Sequence, residues 1–303
     1  MEFIPEDGYR LVEITGSLPE RIISDTSVVK TYAVLSNMTV NAVFENIRYN
    51  NKSLSIITDD GEIAKYALSV YVNGNAVSLP YTGSFVKDAQ ITVEAKSAHA
   101  NNYSVTINGD AITKKTLTIS DDMSMVIGIA EKSTVNKIDI LSVSANDNVI
   151  TNAQWSAANL IDGIKIPGST LGYTTAHTYT DDVFAKPYIL TFDLGSVQTI
   201  NQVSLFPRTD SWAADSSLSC CYPVDFTIAV STDGVNYTTV VTVVNGENPK
   251  FKQQCYSFTD VQAKHVKITV TKVGLPPYDD GSNNDHYRLQ LAEVEVYYNS
   301  ELP

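Results

Sequence analysis

The chain has 303 residues, of which 43% are hydrophobic and 18% charged, and it carries a net charge of −13. This is the composition of a folded chain longer than one typical domain, not of a disordered one. The acidic balance repels phosphate backbones and anionic lipid, and no apolar run is long enough to span a bilayer, so neither nucleic acid nor membrane insertion is expected.

At the N-terminus, Met1-Glu2-Phe3-Ile4-Pro5 has neither the basic nor the apolar stretch of a secretory signal, and the sequence reads as a piece of a longer protein. The first 135 residues contain a degenerate repeat. Lys30–Val34 and Asn37–Glu45 match Lys115–Ile119 and Asp122–Ile129. Upstream, Gly8-Tyr9 followed by Val12–Gly16 corresponds to Asn102-Tyr103 followed by Val105–Gly109. Each copy reads as short alternating strands with Gly/Asn turns, such as Val70-Tyr71-Val72-Asn73-Gly74, and the first copy lacks the strands that precede the match in the second. The repeats are expected over 1–47 and 48–134, as spacers similar to the all-β repeats of bacterial surface and secreted proteins. His99 stands alone there and reads as a solvated loop residue.

Ser133–Lys137 reads as a linker. Beyond it, strands are predicted at Tyr188–Leu194, Val203–Phe206, Val224–Val230, Thr238–Val244, Gln254–Phe258, His265–Thr271 and Leu291–Tyr297, with a possible helical turn at Trp155–Leu160. Many strands, turn signals and almost no helical period predict a β-sandwich or jelly roll. The long loop between Phe206 and Val224 carries Arg208, Asp210, Trp212, Tyr222 and two adjacent cysteines. Charged and aromatic side chains on a loop braced by a sheet point to a binding site.

Six blocks in order carry a resemblance: Ala158–Gly163, Tyr188–Gly195, Phe206-Pro207-Arg208, Asp225–Tyr237, Ala263–Val270 and Leu291–Tyr297. Together they resemble the coagulation factor V/VIII type C (discoidin) domain, most closely its bacterial branch, the family 32 carbohydrate-binding modules. The resemblance implies a galactose-binding-like jelly-roll β-sandwich over 137–300, so the expected fold class is all-β with small β repeats in front. It also implies an extracellular protein, secreted or at the cell surface. The parent would be a larger bacterial protein such as a glycoside hydrolase, with a monomeric module tethered to it.

Two sites follow from the resemblance. A structural Ca2+ would take carboxylates from Asp162 and Glu293 and backbone carbonyls from Asn159, Ile164 and Ala292, a donor set that suits a hard cation. The loop after Asp162 is longer and less polar than the family's, and Thr170 is the residue placed to close the site. In the other reading, Asp162 caps a turn and Glu293 lies on the surface. The sugar site would draw Tyr173 and His177 from an early loop, Arg208, Asp210, Trp212 and Tyr222 from the central loop, and Tyr278, His286 and Tyr287 from the last loop. A guanidinium fork donates in parallel to neighbouring hydroxyls, a carboxylate accepts from vicinal ones, and a ring packs on the C–H face of a pyranose. Ala213 stands where the family has an amide, which argues against simple galactose recognition. Alternatively, Arg208 pairs with Asp210, Trp212 enters the core and His177 is a surface residue.

Cys220 and Cys221 could form a vicinal disulfide, one could pair with Cys255, or all three could be buried thiols. No nucleophile elbow, zinc-protease helix, phosphate loop or Cys-x-x-Cys occurs, and Asp181/Asp182 and Asp279/Asp280 are loop acids, so no enzyme is expected. A binder of mono- or oligosaccharides is the leading expectation. An adhesion module for a protein or host surface is the alternative.

Overall fold

A computed structural model describes residues 1–6, 9–17, 19–24, 26–31, 37–46, 51–86, 89–95, 102–119, 121–147, 154–166, 172–175, 182–208, 218–274 and 287–302. Strands β1 (Glu2–Phe3), β2 (Tyr9–Gly16), β3 (Glu20–Ser24), β4 (Val28–Val29) and β5 (Val40–Asn46) come first. They are followed by β6 (Asn51–Thr58), helix α1 (Gly61–Ala67), β7 (Leu68–Val72), β8 (Asn75–Val77), β9 (Tyr81–Val86) and β10 (Gln90–Ala95). Next are β11 (Tyr103–Ile107), β12 (Asp110–Ile112), β13 (Lys114–Thr118) and β14 (Met123–Glu131). The remainder holds β15 (Val135–Ile138), β16 (Ser142–Ala145), a 3-10 turn (Ala157–Ile161) and β17 (Tyr173–Thr174). It closes with β18 (Val183–Phe206), β19 (Pro223–Ser231), β20 (Thr238–Val243), β21 (Gln254–Val273), β22 (Gln290–Leu291) and β23 (Glu293–Asn299). The described residues are all-β apart from α1 and the 3-10 turn, as the alternation predicts.

The chain divides into two compact units. One comprises Met1–Ile57, Val70–Val93 and Lys115–Val126; the other Thr58–Ser69, Glu94–Lys114 and Ile127–Pro303. In the first unit, β2 pairs antiparallel with β3 and with β5, Ile14 opposite Ala42 and Tyr9 opposite Asn46. In the second, β11 pairs antiparallel with β14, Ile107 opposite Ile127 and Tyr103 opposite Glu131. These are the same partners under the sequence match, so the matched strands share one register. The one extra residue in the first copy is absorbed by a register shift between Leu11 and Glu13, a β-bulge. Helix α1 escapes the periodicity because it is only seven residues long. Its start is nonetheless written in the sequence: Asp60 is the N-cap, and its Oδ1 accepts from the N–H groups of Glu62 (3.1 Å) and Ile63 (3.0 Å).

The sandwich lies in the second unit. Its main sheet runs β15-β23-β18-β21-β19-β20, with β16 also paired to β18. Two pairs of predicted strands are each one long strand: Tyr188–Leu194 and Val203–Phe206 both belong to β18, and Gln254–Phe258 and His265–Thr271 both belong to β21. The two long strands pair antiparallel through three register shifts, and the bulges bend them so that period-2 alternation lapses while pairing continues. The core gathers Leu190, Phe192, Val203, Leu205, Phe226, Ile228, Val266, Ile268, Val294 and Val296, all essentially buried. Gly195 and Gly234 both have positive φ, +78° and +76°, which the tight exits after Asp193 and Asp233 require. Asp233 accepts from the N–H groups of Val235 and Asn236, and these bonds hold its carboxyl well below the usual range.

The outer face of β18, β21 and β23 is covered as well, by α1 and β11 within the same unit. The Tyr66 ring meets Phe206 edge-on at 5.4 Å and Tyr103 at 6.5 Å. Tyr103 donates to Gln253 Oε1 at 3.1 Å, and the Gln253 N–H donates to the Tyr66 carbonyl at 3.1 Å. Glu295 is fully buried there, with Lys137 and Lys165 on its Oε1 and the Tyr297 hydroxyl donating to Oε2. The Lys165 ammonium also lies 5.2 Å from the Tyr66 ring centre and 5.1 Å from that of Phe206. A buried carboxylate with two cations and a hydroxyl meets the condition for burying charge at all.

Candidate ligand-binding site

Arg208 follows β18 immediately after Pro207 and is only 6% exposed. Its Nη1 donates to Gln290 Oε1 at 2.9 Å, and its guanidinium carbon lies 4.6 Å from the Trp155 ring centre. Gln290 is itself tied down. It sits in β22, which pairs with β17 so that Thr174 faces Gln290, and its Nε2 donates to Thr174 Oγ1 at 3.2 Å. Its N–H donates to the Cys221 carbonyl at 3.1 Å, and the Cys220 thiol reaches Oε1 at 3.6 Å. The Thr175 N–H donates to the carbonyl of the neighbouring Leu289 at 3.1 Å, and the Thr175 hydroxyl accepts from the Leu289 N–H at 3.1 Å. A planar cation stacked on an aromatic face and hydrogen-bonded at one end has its orientation fixed. Next to this cluster, Arg288 Nε is buried and has no acceptor among the described residues.

Sequence reasoning missed Trp155, Gln290 and Thr174. Trp155 was visible only as the start of a helical turn, and Gln290 only as the residue before the final strand block. Their partnership with Arg208 comes from strand pairing across the chain, which spacing does not reveal.

The predicted sugar residues divide three ways. Arg208 lies at the cluster, and Tyr287 is half-buried against the core. Tyr173 and Tyr222 are corrected to core residues. Tyr173 is 1% exposed with its hydroxyl donating to the Asp147 carbonyl at 2.5 Å, and Tyr222 is 3% exposed with its hydroxyl 3.2 Å from that of Tyr256. Rings this enclosed offer no face to a sugar, and burial raises both phenols. His177, Asp210, Trp212, Tyr278 and His286 lie outside the described residues, as do Thr170 of the cation set and His99.

Asn159, Asp162, Ile164, Ala292 and Glu293 are all described. Asn159 is buried, accepts from the Ser156 hydroxyl (3.1 Å) and donates to the Gly172 carbonyl (3.0 Å). Asp162 Oδ1 accepts from the Ile164 N–H (2.8 Å), and the Gly163 N–H donates to Glu293 Oε1 (3.1 Å). Gly172 has φ +104°, and a Cβ there would fall 2.2 Å from the Leu291 carbonyl oxygen, so only glycine permits this approach to the start of the last strand. The surface reading of Glu293 is overturned, since it is 1% exposed. Its Oε2 has no hydrogen-bond partner among the described residues, and burial, then the charge of Glu295, pushes its carboxyl up to about 8. A buried carboxylate with an orphaned oxygen fits a cation partner. Among the described residues no three His, Cys, Asp or Glu side chains converge, so a metal here would take its remaining donors from backbone carbonyls, as Ca2+ readily does.

All three cysteines are thiols, Cys220 and Cys221 almost completely buried. Burial pushes Cys221 well up and Cys255 up to about 12, which disfavours the reactive thiolate.

Residues 141–289 match the F5/8 type C domain family. Among solved structures, CpGH89CBM32-5 from Clostridium perfringens, in complex with GalNAc-β-1,3-galactose, is 18% identical with a TM-score of 0.39, covering 54% of this chain and 100% of that one. The family 32 module of Clostridium perfringens NanJ, in complex with galactose, is 20% identical with a TM-score of 0.39, covering 54% and 99%. Chitosan-binding module 1 from the chitosanase/glucanase of Paenibacillus sp. IK-5 is 26% identical with a TM-score of 0.36, covering 54% and 99%. No curated protein matches the chain.

Proposed function

We propose that residues 137–300 form a non-catalytic carbohydrate-binding module, with the β repeats of 1–47 and 48–134 as spacers, in a secreted or surface protein. The observation that carries this reading is the preorganised Arg208, stacked on Trp155 and bonded to Gln290, inside a segment that matches the F5/8 type C domain. Because the guanidinium is oriented before any ligand arrives, its ordering cost in a sugar contact has already been met by the fold. Tyr287 borders the same loop end, and His177, Asp210, Trp212, Tyr278 and His286 are the further candidates that sequence places in these loops. A single shallow site of this kind binds weakly, so the module acts by holding a tethered partner domain near its glycan.

Asp162, Glu293 and the carbonyls of Asn159, Ile164 and Ala292 are the residues that would hold Ca2+. The ion would supply charge neutralisation and pin the loop after the 3-10 turn to the start of β23. The orphaned Oε2 of Glu293 supports this assignment.

A glycan array probed with the intact chain and with Arg208→Ala tests the proposal. The intact chain should light a restricted set of terminal sugars, and Arg208→Ala should lose at least ~10-fold in affinity, the effect of removing a charge-assisted hydrogen-bond donor. Retained folding of the variant is checked by its melting curve. No glycan signal, with binding retained to a partner stripped of glycans, would replace this reading with the adhesion module.

A further inference from the structure

The two β repeats share a register but differ in what covers them. In the second copy, β14 lies between β11 and β6. The Ser53 N–H donates to Asp122 Oδ1 at 2.8 Å, and the Asp59 N–H to the Ile127 carbonyl at 3.2 Å, so β6 runs parallel to β14. Asp59 Oδ1 accepts from the Ile129 N–H at 2.9 Å, and α1 then brings the Tyr66 ring to Tyr103. Tyr103, Met125, Ile127 and Ile129 are all buried.

Their counterparts in the first copy are Tyr9, Val40, Ala42 and Phe44. There the sheet is β3-β2-β5 and stops at β5 among the described residues. Tyr9 is 36% and Phe44 38% exposed, and no described side chain of β5 is buried, although Leu11 and Ile14 on β2 are at 0%. Among the described residues the sheet therefore has a core face on β2 but an open margin on β5. A strand margin with unpaired backbone and apolar side chains is a template for another strand.

The shared register identifies what fits this margin. In the second copy the Ile129 N–H points away from β11 to its β6-side acceptor, and by equivalence the Phe44 N–H points out from the open edge of β5. We propose that this edge docks the strand–turn–helix segment of another copy of the same repeat, with the character of residues 51–67. Its strand lies parallel to β5 and carries alternating apolar residues, as Leu54 and Ile56 do. An acidic residue ends the strand and accepts from the Phe44 N–H, as Asp59 does from Ile129, and an aromatic ring from the short helix covers Tyr9. This is strand addition with a side-chain lock, so backbone pairing supplies affinity and the acidic and aromatic positions supply register.

The test adds a synthetic peptide of the sequence 51–67 to the full chain and follows amide hydrogen exchange by mass spectrometry. A saturable slowing of at least ~10-fold over residues 40–46 is expected. A peptide with Asp59→Asn should slow exchange less, and Phe44→Lys in the chain should abolish the effect while β18 and β21 keep their own protection. Unchanged β5 exchange, equal slowing in Phe44→Lys, or slowing confined to β14 would overturn the proposal. So would a concentration-dependent dimer of the chain alone, seen by sedimentation, that protects β5 without changing exchange over residues 51–67, because β5 would then pair with β5 of a second molecule and not with a 51–67 segment.

Discussion

Glu293 is the residue whose energetics are most exposed to experiment. Its folded-state carboxyl titrates near 8, above the ordinary value of 4.5, so the folded state favours the protonated form. Such a group contributes stability that is fully present below pH 4.5 and is lost as pH rises through about 8. Without divalent cation, the melting temperature measured by calorimetry should therefore fall between pH 5 and 8. Saturating Ca2+ should flatten that slope, because a bound cation stabilises the charged form. Glu293→Gln should show neither the slope nor the calcium effect. A calcium-independent melting curve in the parent chain would remove the cation site.

At the scale of elements, most strands were legible because one face of each meets the core and the other meets solvent. Val224–Val230 and Thr238–Val244 became β19 and β20 nearly residue for residue. Where a strand is buried on both faces the strand is still legible but its second face is not: β23, which the predicted Leu291–Tyr297 overlaps, is buried at six of its seven positions, with Glu293 and Glu295 among them. Those two acids look like a solvated face in sequence, and only the cover given by Tyr66, Lys165 and Lys137 makes them interior. Tyr222 misleads for the opposite reason, since its place beside a polar loop hides a side chain turned toward Tyr256. The same cover leads to a prediction. A fragment of residues 137–303 would lose α1 and β11, baring Phe206 and the Glu295–Lys165 pair. It should melt well below a fragment of residues 51–303 in the same calorimeter, by about 2–4 °C for each kcal/mol of lost packing. Equal melting temperatures would mean that the cover contributes no stability.

For the whole molecule, what was legible is the all-β class and the sandwich, where the buried Arg208, Glu293 and Glu295 lie. The net charge of −13 sits well with a neutral, hydroxyl-rich ligand and poorly with a polyanion. The candidate binding cluster was only half legible, because Arg208 stands in a recognisable block while Trp155 and Gln290 reach it through the chain's return.

The short stretch from Gln290 to Glu293 has one more implication. Its first residue orients Arg208 and its last carries the orphaned Oε2, and the two are joined by the backbone that Gly172 presses against. Two ligands bound at opposite ends of one rigid segment do not bind independently. If a cation at Glu293 sharpens the placement of Gln290, a sugar at Arg208 must tighten the cation by the same factor, since coupling free energy is reciprocal. Paired titrations by calorimetry, sugar with and without Ca2+ and Ca2+ with and without sugar, should return one common ratio greater than unity. Gly172→Ala, by forcing the segment away, should bring that ratio to one.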